Sequence, residues 1–156
     1  AEIKSCGNTS DAYHVTAPHP EGRGAIACMK QALSDAKLSP SDIGYINAHG
    51  TATNKGDAVE IEAIKNIFTD KLPFVSSTKG ATGHMMGAGG ITETIACIKT
   101  IETGIIPPTI NLNEVGPECS GVDLVANTAK KAEINYAMSN AFGFGGQNSS
   151  VIVGKY

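Results

Sequence analysis

Two histidines lie in polar, glycine-containing loops that each follow a predicted strand. His49 stands in the segment Asn47–Thr53, and His84 ends the segment Ser76–His84. A neutral imidazole can donate a hydrogen bond to negative charge that develops during a reaction. From its spacing alone, His49 is either such a catalytic group or an ordinary hydrogen-bonded residue.

Lys79 shares the second loop with His84, and a buried ammonium group needs a partner because its desolvation is costly. Glu93 is the nearby carboxylate on an otherwise apolar run, and it is the candidate partner. We expect the loop to open a helix that runs to about Thr103. His84 would then lie at the positive end of the helix dipole, which disfavours its protonation. The loop lacks the residue order of a phosphate-binding P-loop.

Two further polar features are candidates for substrate contacts. The hydroxyl groups of Thr51 and Thr53 offer donors and acceptors to a polar ligand arm. A third loop, Asn140–Asn148, contains three glycines within the four residues Gly143–Gly146. This turn is either a strained segment whose backbone N–H groups bind an anion or a plain hairpin.

Hydrophobic periodicity predicts the elements that position these loops. Helices are expected at Gly24–Lys37, at Asp57–Phe68 and from Thr78 to about Thr103, and strands at Glu2–Cys6, Ile43–Asn47, Phe74–Ser77, Gly121–Val125, Asn135–Asn140 and Ser149–Val153. The carboxylates Asp57 and Glu60 begin the second helix, where negative charge favours the dipole. The third helix is apolar on nearly every face, which is typical of a buried helix. Alternating strands and helices indicate an α/β fold with a mixed sheet, and ligands usually bind at the carboxyl ends of such strands.

Composition and charge argue against several classes of function. The net charge of −3 gives no reason to expect a nucleic-acid partner, and no apolar run approaches the roughly 20 residues of a membrane span. The four cysteines lack the CxxC spacing of a zinc or redox site, so we expect reduced structural thiols in an intracellular setting. Because the chain begins with Ala1 and not with Met, we expect a processed product or a piece of a longer chain.

The three loops together resemble the β-ketoacyl-[acyl-carrier-protein] synthases of the thiolase superfamily. The resemblance covers essentially the whole chain, through five segments in order: Ser10–His14, Asn47–Asp57, Ser76–Gly90, Pro107–Leu112 and Asn140–Asn148. It is closest to the elongating type II enzymes of fatty-acid synthesis, because Asn47 precedes Ala48-His49-Gly50 and because His84 resembles the second histidine of the Cys-His-His class. Residues 1–156 are therefore identified as the C-terminal domain of such an enzyme.

The resemblance implies a fold and a set of catalytic roles. The fold would be the C-terminal α/β half of the αβαβα thiolase sandwich, with about five strands and a buried central helix. His49 and His84 would donate hydrogen bonds to the malonyl thioester oxygen, and Lys79, paired with Glu93, would hold the electrostatics of the site. The nucleophilic cysteine of the family lies in the N-terminal half, and none of the four cysteines here stands in a matching motif.

Binding roles follow from the same resemblance. Thr51 and Thr53 would hydrogen-bond the pantetheine arm of the substrate. The backbone N–H of Phe144 would complete the oxyanion hole for the acyl group, and its ring would gate the acyl tunnel. Further substrate-binding residues are expected in the same loop: Phe142, Gly143 and Gly145.

The resemblance also implies partners and a setting. The partners would be an acyl carrier protein, the N-terminal half and, in the full enzyme, a second copy in a homodimer. No metal and no bound cofactor are expected, because phosphopantetheine arrives on the carrier, and the compartment would be the cytoplasm, a plastid or a mitochondrion. One alternative is a non-catalytic chain-length subunit that pairs with an active synthase. A thiolase is a third reading, which predicts a catalytic cysteine in a C-terminal CxG motif; Cys119-Ser120-Gly121 is the one segment of this sequence with that spacing.

Overall fold

Five strands form one mixed sheet in the computed structural model, which describes residues 1–156. They are β1 (Glu2–Ser10), β2 (Ile43–Asn47), β3 (Phe74–Ser76), β6 (Tyr136–Gly143) and β7 (Gln147–Gly154), and a separate ribbon contains β4 (Ile105–Ile106) and β5 (Lys130–Lys131). The spatial order is β1-β7-β6-β2-β3. β2 is parallel to both β3 and β6, whereas β7 is antiparallel to β6 and β1. The prediction of an α/β fold with a mixed sheet of about five strands is confirmed.

Helices lie against both faces of this sheet. They are α1 (Arg23–Ala36), α2 (Asn54–Ile67), α3 (Lys79–Thr82) and α4 (Gly89–Thr103). Because strand residues alternate between faces, Ile46 and Met138 pack with α1 and α2, whereas Tyr45 and Ala137 pack on the side of α4. None of the helices combines the length and the apolar composition that a bilayer crossing needs.

The carboxyl ends of β2, β3 and β6 meet at one edge of the sheet. Asn47, the last residue of β2, pairs with Ser76 on one side and with Ser139 on the other. The loops after β2 and β3 therefore start side by side, although they are distant in sequence, and β6 passes this level and continues to Gly143. This is the edge at which ligands usually bind in open α/β sheets.

The helix expected from Thr78 to about Thr103 is two helices, α3 and α4, separated by an irregular segment. Three residues of that segment, Gly83, Met85 and Met86, have positive φ, which an α-helix does not allow. His84 lies inside it, ahead of the first turn of α4. The predicted placement of His84 at the helix N-terminus is therefore wrong, and with it the dipole argument, since that effect falls off within one turn.

The central helix α4 is buried on one side. Glu93 and Cys97 lie on its buried face, whereas Ile91 is 61% exposed and Ile95 is 49% exposed on the opposite face. Its apolar character on nearly every face therefore does not reflect burial by this chain alone.

Two further element predictions need correction. No strand forms at Gly121–Val125: both end residues of this segment have positive φ. The segment instead follows β3 irregularly, and the backbone N–H of Val75 donates to the Asp123 carbonyl at 2.9 Å. β1 continues beyond its predicted end at Cys6 to Ser10, because its polar residues form a ladder with β7.

Gly7 marks a close approach between β1 and α1. A Cβ atom at this position would overlap the Cys28 carbonyl oxygen and lie 2.9 Å from the Ala32 backbone nitrogen. We predict that Gly7→Ala lowers the free energy of unfolding by about 2 kcal/mol or more, because the helix must shift away from the sheet. Urea denaturation followed by circular dichroism measures the change. Gly87→Ala is the matched control, since a Cβ there meets nothing within 4 Å; equal losses in the two variants would contradict the prediction.

Candidate active site

His49 and His84 lie side by side at the edge where the parallel strands end. Their ring centroids are 5.5 Å apart, and the ring planes are nearly perpendicular, at 86°. His49 is carried by the loop after β2, and His84 by the segment between α3 and α4. At this separation, both rings can reach a single substrate oxygen with hydrogen bonds of ordinary length.

Glu60 holds the main chain of the His49 loop. Its carboxylate accepts backbone N–H bonds from His49 at 2.9 Å and from Gly50 at 3.0 Å, and the side-chain amide of Asn140 donates at 3.2 Å. Burial raises the pKa of this carboxyl group, and the three donors oppose that rise. Sequence reasoning treated Glu60 as an ordinary carboxylate at a helix start. The available signal was that Glu60 falls on the buried stripe of α2 with Ile64.

Lys79 and Glu93 form a buried ion pair close to the histidines. Their side chains are only 8% and 2% exposed, and the ammonium group donates to the carboxylate. Burial raises the pKa of Glu93, whereas the hydrogen bond from Lys79 opposes this. Because Lys79 begins α3 and Glu93 lies near the start of α4, the pair also connects the two helices across the irregular segment. The candidate pair named from the sequence is thus brought together.

His49 is a neutral ring at ordinary pH. Desolvation by burial, followed by the proximity of Lys79 and His84, lowers the pKa of His49 to about 4. A neutral imidazole keeps one N–H donor and one acceptor nitrogen. The environment of His49 therefore suits donation of a hydrogen bond by the neutral ring rather than the role of a protonated imidazolium.

The glycine turn after β6 is a hairpin. β6 and β7 pair in register up to Gly143 and Gln147, and the backbone N–H of Gly145 donates to the Val15 carbonyl at 2.6 Å. The turn therefore closes a hairpin, with positive φ at Gly145 and Gly146, and anion binding by its backbone N–H groups stays a prediction. Its neighbour Phe142 lies beside His49, with 6.0 Å between the ring centroids, whereas Phe144 is 79% exposed.

A cavity of about 780 Å³ adjoins the two histidine loops. His84 lines it together with Ala48 and Gly50, which flank His49, but the His49 ring does not. Its lining also includes both predicted arm-binding threonines, the ion-pair lysine and one cysteine: Thr51, Thr53, Lys79 and Cys119. The hydroxyl oxygens of the two threonines are 3.3 Å apart. The cavity is therefore a recess of mixed polar and apolar lining that opens beside His84.

The cysteines have the environments of structural thiols. Burial raises the pKa of Cys28, Cys97 and Cys119, that of Cys97 to about 12, whereas a nucleophilic thiol needs a lowered pKa. Cys6 is exposed on β1, where its sulfur lies 3.6 Å from the hydroxyl of Ser149. None of these four groups has the setting of an activated nucleophile beside the two histidines.

A family model for the C-terminal domain of beta-ketoacyl synthases matches residues 1–113. This chain belongs to that family. The ketoacyl synthase match ends ahead of β6 and β7, which complete the same sheet. Among curated relatives, the 3-oxoacyl-[acyl-carrier-protein] synthase 2 of Staphylococcus aureus (strain COL) is 46% identical over 158 residues. The aligned region is 100% of this chain but 38% of the relative, so the chain spans well under half of that protein's length.

Solved ketosynthase structures share the fold of this ketoacyl synthase domain. The ishigamide ketosynthase/chain length factor superposes with a TM-score of 0.95 at 38% identity, over 100% of this chain and 38% of that one. A ketosynthase in complex with its type II polyketide acyl-carrier protein superposes equally well, with a TM-score of 0.95 at 32% identity and the same coverage. The predicted family and the thiolase-like fold are both confirmed.

We predict that His49 stays neutral in the folded chain down to about pH 5. The unfolded chain binds a proton at this residue below the ordinary pKa of 6.5, and the folded chain only near 4. The unfolded state therefore holds more protons between these values, so His49 lowers the stability as the pH falls from 6.5 towards 4. NMR titration of the imidazole carbons measures the midpoint, with the urea-unfolded chain as the control. A folded-state midpoint above about pH 6 would contradict the assignment.

We predict that Glu60→Ala lowers the free energy of unfolding by about 3 kcal/mol or more, because three buried donors lose their acceptor. Glu60→Gln is the matched variant: its carbonyl oxygen can keep the bonds from His49 and Asn140 and gives up the one from Gly50. The loss for glutamine should therefore lie between those of alanine and the wild type. Urea denaturation at neutral pH ranks the three proteins. Equal stability of the alanine and glutamine variants would argue against the anchoring role.

Proposed function

We propose that this chain is the catalytic C-terminal half of a 3-oxoacyl-[acyl-carrier-protein] synthase, which condenses malonyl-carrier with an enzyme-bound acyl group and releases carbon dioxide. The observation that carries the proposal is the pair His49–His84, with rings 5.5 Å apart beside the buried pair Lys79–Glu93. The S. aureus relative, a 3-oxoacyl-[acyl-carrier-protein] synthase 2 by name, supports this reaction class.

In this proposal the two histidines act on the malonyl step. Both imidazoles donate hydrogen bonds to the malonyl thioester oxygen, which becomes negative as carbon dioxide leaves and an enolate forms. The enolate carbon then attacks the acyl carbonyl carbon and forms the new carbon–carbon bond, and the cysteine thiolate leaves. Two oriented donors in a dry site lower the barrier by roughly 3 kcal/mol each. The neutral state of His49 supports this role, because the ring retains its N–H donor.

Lys79 and Glu93 supply the electrostatic setting in this scheme. Their charges nearly cancel at a distance, so the pair adds little net charge while fixing the direction of the local field. The depressed pKa of His49, to which Lys79 contributes, supports this link between the ion pair and the histidines.

Substrate binding is assigned to the cavity and the glycine turn. Thr51 and Thr53 line the cavity and would hydrogen-bond the pantetheine arm. The backbone N–H of Phe144 would complete the acyl oxyanion hole and its ring would gate the acyl tunnel, with further contacts from the same loop: Phe142, Gly143 and Gly145. The solved ketosynthase bound to its acyl-carrier protein supports a carrier protein as the donor. No bound cofactor enters the scheme, because phosphopantetheine is part of the substrate.

The reaction also needs a cysteine nucleophile, which we assign to an N-terminal half. The S. aureus relative is longer, since this chain aligns with only 38% of it. The exposed apolar face of α4 with Ile91 and Ile95, together with Met86, is the surface that we assign to contact with that half. We expect the complete enzyme to form a homodimer in the cytoplasm, a plastid or a mitochondrion.

A non-catalytic chain-length subunit is the second candidate. The likeness to the ishigamide ketosynthase/chain length factor favours this class. Retention of both histidines and of the Lys79–Glu93 pair favours the catalytic class, because a subunit without chemistry has no use for all four. The coding sequence upstream of Ala1 separates the two: a cysteine in a small-residue motif supports the synthase, and a glutamine in its place supports the subunit.

We predict that His84→Ala in the complete synthase reduces decarboxylation of malonyl-carrier by about a hundredfold or more, because one enolate donor is lost. Acylation of the cysteine should be largely intact. Release of labelled carbon dioxide and mass spectrometry of the acyl-enzyme measure the two steps separately.

Two controls accompany this test. His19→Ala removes an imidazole outside the site and should leave both steps unchanged, and the 156-residue chain without an N-terminal half should give no condensation. Loss of acylation with decarboxylation preserved would contradict the roles assigned to the histidines. Turnover by the chain alone would contradict the assignment of the nucleophile.

A further inference from the structure

A single serine connects the two histidine loops. Ser77 directly follows β3, and its hydroxyl group donates a hydrogen bond of 2.8 Å to the carbonyl of Gly50, the residue after His49. The same oxygen accepts a long bond of 3.4 Å from the backbone N–H of Lys79, at the start of the segment that leads to His84. One side-chain oxygen therefore contacts the main chain of both loops.

Gly50 is the position at which Ser77 holds the main chain of the His49 loop. Its φ of +38° lies in the region that favours glycine, and a Cβ atom there would come within 2.7 Å of the Ser77 Cβ. Glu60 holds the backbone N–H of Gly50 at 3.0 Å. A glycine in this conformation can rotate unless its carbonyl is held as well, and the Ser77 hydroxyl group provides that second attachment.

Ser77 is itself anchored to the segment that crosses beside β3. Its backbone N–H donates to the hydroxyl of Thr109 at 3.0 Å, and that hydroxyl donates to the Leu124 carbonyl at 3.1 Å. The backbone of Thr109 is fixed in turn by bonds of 2.9 Å with Val125 and Asn127. Ser77 therefore connects the hydrogen-bonded segment around Thr109 to the loop of His49.

We infer that Ser77 is a positioning residue, which sets His49 relative to His84 by coupling their two loops. The inference rests on the proposed function, in which both rings bind one thioester oxygen. Displacement of a catalytic group by about 1 Å can cost about a hundredfold in rate. Ser77 hydrogen-bonds neither imidazole and acts on His49 through Gly50. Because Ser77 also lines the cavity, the positioning role is read from kcat for the chemical step, and an effect on KM alone would report a binding role instead.

Ser77→Ala in the complete synthase tests the inference. We expect kcat for malonyl decarboxylation to fall by about tenfold to a hundredfold, with KM nearly unchanged. Ser77→Thr keeps the hydroxyl group and should recover most of the lost rate. A change confined to KM with kcat unaltered, or a failure of threonine to exceed alanine, would overturn the inference.

Ser5→Ala is the matched control for stability. Ser5 also donates its hydroxyl to a carbonyl 27 residues away, that of Ala32 at 2.6 Å, but it joins β1 to α1 outside the site. Both alanine variants should lose comparable stability on thermal unfolding, and only Ser77→Ala should lose decarboxylation. If Ser5→Ala lowers kcat as much as Ser77→Ala does, the effect is structural and the inference fails.

A measurement on the 156-residue chain separates the inference from the proposed function. The edge-on rings of His49 and His84, 5.5 Å apart between centroids, should give a nuclear Overhauser contact between ring protons. Ser77→Ala should weaken this contact and Ser5→Ala should not. If that pattern holds in a protein that never decarboxylates malonyl thioesters, the coupling stands and the proposed function fails. If the contact is unchanged in Ser77→Ala, the coupling is wrong whatever the activity.

Discussion

The candidate site depends on the register of three parallel strands. β2 lies between β3 and β6; β2 and β3 end side by side at Asn47 and Ser76, and β6 continues four residues beyond Ser139 to Gly143 before the glycine turn. The loops that carry His49 and His84 therefore start together, and Phe142 of β6 lies beside His49. A slip of one residue would exchange the faces of every side chain on β2. A buried hydrogen bond of 2.9 Å between the hydroxyls of Tyr45 and Ser76 opposes such a slip, because either partner alone would be an unsatisfied buried group. The strand register therefore fixes where the loops of the candidate site begin, whichever side chains those loops carry.

Around this edge, three ionisable groups are buried in three different ways. The Glu60 carboxylate accepts hydrogen bonds from two backbone N–H groups and from a side-chain amide. These bonds offset the cost of its burial and hold the His49 loop in place. Glu93 is satisfied by the charge of Lys79. His49 has neither kind of partner for a positive charge, and it remains neutral. Removing either member of the ion pair would leave an uncompensated charge in the interior, so the pair combines a structural role with its electrostatic one.

The sequence predicts the parts of the fold whose signals are local. β2 has the predicted limits, Ile43–Asn47, because an apolar run is bounded by turn residues and is buried on both faces. The break before α4 was missed because Met85 and Met86 have positive φ, which their residue types rarely adopt, so residue preference does not predict it. The role of Glu60 was hidden for a related reason. A carboxylate on a buried helical stripe signals a buried partner, but two of the three partners are backbone groups that no residue pattern displays, and the third, the Asn140 amide, is 80 residues away in sequence.

The exposure of this half explains why two histidines are not sufficient for the proposed chemistry. Hydrogen-bond donors stabilise a developing enolate strongly only where water is excluded, since water screens the charge and competes for the same oxygen. In this chain His84 is exposed, and Met86 and Phe144 are about four-fifths exposed beside the same edge. On the proposed function, an N-terminal half would therefore contribute more than a thiolate: by covering the apolar face of α4 and this edge, it would also supply the dry environment in which His49 and His84 become effective donors.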